Sequence, residues 1–120
     1  YNISSSPTMN DVTATATGTN PGSLSFGVFN DSSVPVTMNN VTATATGGSG
    51  SYGVYNKDST AKIRNSSLTS TGPNSSSVFS IDISGQQTAY LAHTTLDGTV
   101  GQVSECFGVY DESFEEIICE

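Results

Sequence analysis

The sequence predicts an all-β repeat fold in which short strands stack in successive coils. The phrase "MNDVTATATG" (9–18) returns as "MNNVTATATG" (38–47), and "GVFN" (27–30) returns as "GVYN" (53–56). The stretch Val-Thr-Ala-Thr-Ala-Thr alternates small apolar residues with threonine, which is typical of a strand with two different faces. Because both phrases recur, we expect equivalent strands to lie one above another.

Composition limits what this chain can build. Its 120 residues make one domain at most, and with 34% hydrophobic residues and no Trp a thick globular core is not expected. A net charge of −8 with few apolar residues leans towards disorder, but the periodicity argues for an ordered fold. With three basic residues we expect no nucleic-acid partner. No apolar run approaches the ~20 residues of a membrane span, so none is expected.

Each repeat unit is predicted to form three short strands joined by corners. The first strands are the "GVYN"-like phrases at 27–30, 53–56, 77–80 and 108–111. A brief "PTM" or "AKI" strand follows, then a two-residue corner at 10–11, 39–40, 64–65 or 92–93. The alternating Thr strand comes third and is closed by Gly18, Gly47 or Gly72. Asn and Gly suit such corners because they tolerate left-handed backbone angles.

Stacking these units places like residues in columns. Three inward columns are expected to form the core: Val28, Val54, Val78 and Val109; Ala14, Ala43, Leu68 and Leu96; Met9, Met38, Ile63 and Leu91. An aromatic column and an Asn-type column are also predicted: Phe29, Tyr55, Phe79 and Tyr110; Asn2, Asn30, Asn56, Ser80 and Asp111. Side-chain ladders of this kind strengthen stacked strands.

On the "MNxVTATATG" and "GVYN" phrases and the Asn-bearing corner, the chain resembles the right-handed parallel β-helix (β-solenoid) family. It is most similar to the Thr/Asn-rich repeat proteins of secreted bacterial type. The resemblance covers essentially the whole chain and implies about four coils with three short strands per coil. The fold hosts many activities, so it implies little about function.

The outward residues of the third strands form a grid of hydroxyl groups. This grid resembles the Thr-x-Thr faces of β-solenoid antifreeze proteins, which implies an ice-binding alternative, although Asp97 interrupts the fourth row. Thr also favours half-exposed strands without any ligand, so the structural interpretation stays open beside it. The candidate surface-binding face comprises Thr13, Thr15, Thr17, Thr42, Thr44, Thr46, Ser67, Thr69, Thr71, Thr95 and Thr99.

Catalysis is the remote alternative, since several β-helix families act on polysaccharides. Glycoside hydrolysis needs paired carboxylates ~5–9 Å apart, and the best candidates are Asp58 and Asp82. No basic or aromatic cleft is evident beside them, and His93 occupies a corner column. With one histidine and no Cys-x-x-Cys spacing a zinc site is not expected. We therefore predict a non-enzyme without a catalytic residue, metal or cofactor.

The N-terminal and C-terminal segments of the sequence are predicted to play different roles. Residues 1–104 are assigned to the coils and 105–120 to an acidic C-terminal cap of the same domain, in which Cys106 and Cys119 can form a disulfide. A disulfide in a short, hydroxyl-rich chain indicates an extracellular or cell-surface location, although two reduced thiols remain an alternative. The segment from Tyr1 starts in the middle of a coil, so either coils upstream of it have been removed or this open N-terminal coil meets another molecule. Self-association through the open coil is the expectation.

The sequence therefore predicts a non-catalytic extracellular β-solenoid that serves as a structural or adhesive subunit and assembles end to end into a fibre. Contact with ice or with a polysaccharide surface is the alternative for its partner.

Overall fold

The computed structural model describes residues 1–32, 35–81, 89–101, 105–111 and 113–118, with the backbone alone described at 80–81 and 105–106. Within these ranges the chain forms fifteen strands and no helix. The strands belong to three parallel sheets, which the chain visits in strict rotation.

Each sheet has five strands, and every strand-to-strand pair is parallel. The first sheet contains β1 (Asn2–Ile3), β4 (Leu24–Asp31), β7 (Gly50–Lys57), β10 (Ser76–Ile81) and β13 (Val100–Gly101). The second contains β2 (Thr8–Asn10), β5 (Val36–Asn39), β8 (Ala61–Arg64), β11 (Ala89–Ala92) and β14 (Glu105–Phe107). The third contains β3 (Thr13–Gly18), β6 (Thr42–Gly47), β9 (Ser67–Thr71), β12 (Thr95–Asp97) and β15 (Tyr110–Asp111).

This rotation makes the protein a β-solenoid and confirms the predicted all-β class. The three coils from β4 to β12 have at least three paired residues on every side, and the coils before and after them include two-residue strands. The expected number of about four coils is close to this arrangement. The secreted bacterial type remains a prediction.

The core consists of the inward residues of all three sheets, stacked like on like. Met9, Met38, Ile63 and Leu91 are paired in register, and so are Ala14, Ala43, Leu68 and Leu96. Both columns match the prediction. The second of these columns changes from Ala to Leu after the second coil, and Leu68 and Leu96 are fully buried. Larger side chains therefore fill this column of the core in the later coils.

The valine column holds for three coils and is wrong in the fourth. Val28, Val54 and Val78 are in register, but the next partner of Val78 is Val100 instead of Val109. Gly98, with a φ of 121°, allows the chain to turn directly after β12 and reach the first sheet early.

The phrase at 108–111 consequently does not belong to the first sheet. Its residues Tyr110 and Asp111 form β15 and are paired with Thr95 and Leu96 in the third sheet. Tyr110 therefore does not join the predicted aromatic column, and Asp111 does not join the Asn-type column. Similarity to "GVYN" misplaced this phrase by two sides of the coil.

Parallel pairing continues into the segment predicted to form the cap, because β14 pairs with β11 and β15 with β12. After β15 the chain folds back, and Asp111 Oδ1 accepts hydrogen bonds from the amides of Ser113 and Glu115 at 2.8 and 2.9 Å. An antiparallel bridge then joins Tyr110 to Glu116. Cys119 and the side chain of Cys106 lie outside the described parts of the chain, so the disulfide stays a prediction.

The corner between the second and third sheets is confirmed as a left-handed position. Asp11, Asn40, Asn65 and His93 have φ angles of 54°, 55°, 51° and 47°. Each donates its amide to a carbonyl of the next coil; for example, the Asn40 amide lies 3.2 Å from the oxygen of Arg64. The corners thus take part in the stacking, because their peptide groups pair between coils in the same way as those of the strands.

A buried asparagine ladder, defined as Asn2, Asn30 and Asn56, runs along the end of the first sheet. Asn2 Nδ2 donates to Asn30 Oδ1 at 2.8 Å, and Asn30 Nδ2 donates to Asn56 Oδ1 at 2.6 Å. Asn30 and Asn56 are fully buried. A primary amide suits this column because it carries both a donor and an acceptor, so each member satisfies the next.

Replacing Asn30 with Asp tests this ladder. The substitution keeps the shape but removes the donor to Asn56 and buries a carboxylate, so we expect the free energy of unfolding at pH 7 to fall by about 3 kcal/mol. Urea denaturation followed by circular dichroism measures it. The exposed Asn10→Asp is the matched control and should change stability by less than about 0.5 kcal/mol. Equal effects at both positions would contradict the ladder's role.

A second buried polar group lacks such a partner. Among the described residues, Ser70 Oγ is the buried side-chain oxygen for which no hydrogen bond is found. Ser70 is paired with Ala45 of the preceding coil, so the column accommodates alanine.

We therefore expect Ser70→Ala to raise the free energy of unfolding by about 1 kcal/mol, because an unpaired hydroxyl is removed from the core. Ser77→Ala is the opposite-sign control, since buried Ser77 donates its hydroxyl to the Thr99 carbonyl at 3.1 Å. It should lose about 1 kcal/mol in the same denaturation experiment. A loss at Ser70 as large as at Ser77 would contradict this interpretation.

Candidate functional site

The threonine face is the outer surface of the third sheet, where three rows of outward residues are paired in register. The rows are Thr13, Thr42, Ser67 and Thr95; Thr15, Thr44, Thr69 and Asp97; Thr17, Thr46 and Thr71. Alternate residues of the same strands point inward, and Ala43 and Ala45 are fully buried. Neighbouring residues of the face are therefore spaced about 6.6 Å along a strand and about 4.8 Å between strands.

Most of this face is open to solvent, but its hydroxyl groups also interact with one another. Thr13, Thr15, Thr17 and Thr42 are exposed, whereas Thr44, Thr46, Ser67 and Thr69 are partly covered by their neighbours. Thr46 Oγ1 donates to Thr17 Oγ1 at 3.4 Å. The face is thus an in-register array of hydroxyl and methyl groups.

Thr99 does not belong to this array. It follows β12 and hydrogen-bonds the carbonyl of Ser75 and, at 3.2 Å, the hydroxyl of Ser76. The expectation that Thr99 completes the fourth row was wrong because Gly98 turns the chain towards the first sheet. Asp97 holds the middle position of the fourth row, as predicted, so the face is regular over three coils.

The first sheet carries an aromatic ladder, defined as Tyr1, Phe29, Tyr55 and Phe79. Successive ring centroids lie 4.6, 5.3 and 5.3 Å apart, with interplanar angles of 8°, 4° and 26°. Phe29, Tyr55 and Phe79 were predicted, whereas Tyr1 was not. Because each ring covers the face of the next, the ladder serves packing, and burial raises the pKa of the Tyr55 phenol.

Charged groups are sparse around these faces. Among the described residues, the single ion pair joins Lys57 Nζ to Asp31 Oδ2 at 3.2 Å, next to the asparagine ladder. The hydrogen bond and the negative charge of Asp31 raise the pKa of Lys57 above its usual value.

The carboxylates considered for catalysis are not brought together by anything described. Asp58 occupies a left-handed corner with a φ of 48°, in the place where Ser4 and Ser32 turn earlier coils. Asp82 lies outside the described residues. No cluster of His, Cys, Asp or Glu able to hold a metal occurs in the described part of the chain.

The outer face of the second sheet has a groove that the sequence did not predict. It has a volume of about 470 Å³ and is lined by residues of β8, β11 and β14 and of the corners that follow β8 and β11. We define the basic groove by Lys62, Arg64, Tyr90, Ala92, His93 and Phe107. The available signal was the "KIR" spelling of β8, which puts two of the three basic residues on one side of a strand.

Comparisons of the chain with protein-family profiles, with curated proteins and with solved structures find no match. In the ranges that the structure describes, no helix long and apolar enough to cross a membrane is present.

Proposed function

We propose that the chain is a non-catalytic, extracellular β-solenoid that acts as a structural or adhesive subunit and assembles end to end. The supporting observation is that its polar and aromatic columns run along the stacking axis. Asn2, Asn30 and Asn56 bond in series, and the aromatic rings stack in the same direction. A column of this kind can be extended by another coil without changing its geometry.

The end of the solenoid formed by the first coil offers the means of extension. Within residues 1–120, strands β1, β2 and β3 are the edge strands of their sheets, and an edge strand can pair with a strand of another molecule. Tyr1 and Ile3 at this edge are 77% and 57% exposed. Contact between this edge and the opposite end of a second copy is heterologous, and such contacts build filaments when they do not close.

The extracellular assignment rests on the hydroxyl-rich, weakly charged composition and on the predicted Cys106–Cys119 disulfide.

End-to-end assembly predicts a molar mass that rises with concentration. Light scattering of the 120-residue chain over a hundredfold concentration range should show growing oligomers, and electron microscopy should show filaments. Ile3→Lys places a charge at the edge and should abolish the growth. Thr71→Lys, which adds the same charge on an interior strand, should not. A monodisperse monomer throughout the range would overturn assembly.

Ice binding is the second candidate function, and the regular threonine face supports it. Eight threonines on β3, β6 and β9 present hydroxyl and methyl groups in register on one flat sheet. Such an array can order a layer of water against the surface, provided that it stays flat.

For this candidate, the unaltered chain should inhibit ice recrystallisation, and Thr44→Tyr should remove most of the inhibition because a ring in the central row breaks the flat array. Thr37→Tyr is the matched control on the second sheet and should leave inhibition unchanged. Lack of inhibition by the unaltered chain, or equal losses in both variants, would overturn ice binding.

A further inference from the structure

The basic groove lies on the second sheet, away from both the threonine face and the aromatic ladder. Its floor is the row Arg64, Ala92 and Phe107, which are paired across three adjacent strands. Arg64 and Phe107 flank the methyl group of Ala92, with about 4.8 Å between neighbouring strands. The small central residue between two large ones creates the hollow.

A second row borders this floor. Lys62 and Tyr90 are paired on β8 and β11, about 6.6 Å along the strands from Arg64 and Ala92. The backbone of Glu105 on β14 is paired with Tyr90 in this row. His93 closes the end at the corner, with its ring edge-on to Phe107 at 5.4 Å.

The charge of the groove is opposite to that of the chain. The net charge is −8, yet two of the three basic residues line this hollow, and its described lining contains no acid. Lys57 is occupied by Asp31, whereas Lys62 and Arg64 are exposed and form no ion pair among the described residues. Within the described part of the chain, Lys62 and Arg64 therefore give this groove a local positive charge that attracts an anion.

The rings of the groove are available, unlike those of the aromatic ladder. Phe107 is 71% exposed and contacts only the His93 ring among described aromatic residues, and Tyr90 is 39% exposed and contacts none. Exposed aromatic rings beside a guanidinium group can bind two parts of one ligand. The rings pack against an apolar ring face of the ligand, and the guanidinium group pairs with its carboxylate.

We propose that the basic groove binds the end of a glycan that carries one carboxylate. Arg64 holds the carboxylate in a bidentate pair with support from Lys62, and the sugar ring packs on Phe107 and Tyr90. His93 faces the sugar hydroxyl groups and can hydrogen-bond them. A volume of about 470 Å³ lies within the usual range of small-ligand sites.

One negative charge suits the site better than many. Two cations cannot offset a densely charged polymer against a net charge of −8, and nucleic-acid binding draws on several phosphate contacts. This inference rests on the adhesive part of the proposed function, for which it supplies a ligand class.

The test is a calorimetric titration of the 120-residue chain with a glucuronate-terminated trisaccharide. Three comparison ligands are titrated in the same way: the trisaccharide that ends in glucose, the trisaccharide that ends in glucose 6-sulfate, and an oligothymidylate. We expect the glucuronate compound to bind at least about tenfold more tightly than the neutral one, because the charge-assisted pair with Arg64 is lost in the latter. Preference for the sulfate assigns the anion to sulfated glycans and overturns the carboxylate; preference for oligothymidylate overturns the glycan.

Three variants locate the site. Arg64→Gln and Phe107→Ala should each weaken binding by about tenfold, and both side chains are exposed enough that folding should be retained. Lys57→Gln removes a cation outside the groove and should leave binding unchanged. Equal losses in Arg64→Gln and Lys57→Gln, or no binding by the unaltered chain, would overturn the proposal.

Light scattering of the same samples separates this test from the assembly proposal. Binding by a strict monomer supports the groove and overturns assembly. Filaments without a preference for the acidic glycan support assembly and overturn the groove.

Discussion

In-register parallel stacking is the constraint on which the rest of the structure depends. The early coils fill their core with Ala43, Ala45 and valines, and so slim a coil cannot bury its apolar residues alone. Burial is achieved only when the same positions of successive coils lie against one another. A slip of one residue would turn each Thr row inward and each Ala row outward, so the alternation fixes the register of the third sheet.

The same constraint decides which polar residues the interior tolerates. Asn30 and Asn56 are fully buried because each amide finds an identical group one coil away. Where the residue type changes between coils, a buried polar side chain can be left without a hydrogen bond. Ser70 follows Ala45 in its column and has no described hydrogen-bond partner. Like-on-like stacking therefore stabilises amide columns and penalises a solitary hydroxyl.

The three outer faces differ because their outward columns differ. The first sheet carries rings that cover one another, and the third carries threonines that form a flat array. The second sheet changes residue type from coil to coil, from Thr37 to Lys62 to Tyr90. That irregularity leaves a hollow at Ala92, so the basic groove lies on a face whose outward residues change from coil to coil.

The sequence by itself determined the solenoid, the left-handed corners and the core columns through the third coil, because "MNxVTATATG" and "GVYN" repeat there nearly unchanged. It could not place Val100, Tyr110 or Thr99, because the repeats are less similar in sequence there. In addition, Gly98 permits a turn that the repeat pattern does not predict. Only the tertiary structure decided the basic groove. Arg64, Ala92 and Phe107 are far apart in the chain. The lengths of the coils between them determine the register in which they are paired, and this register makes them neighbours.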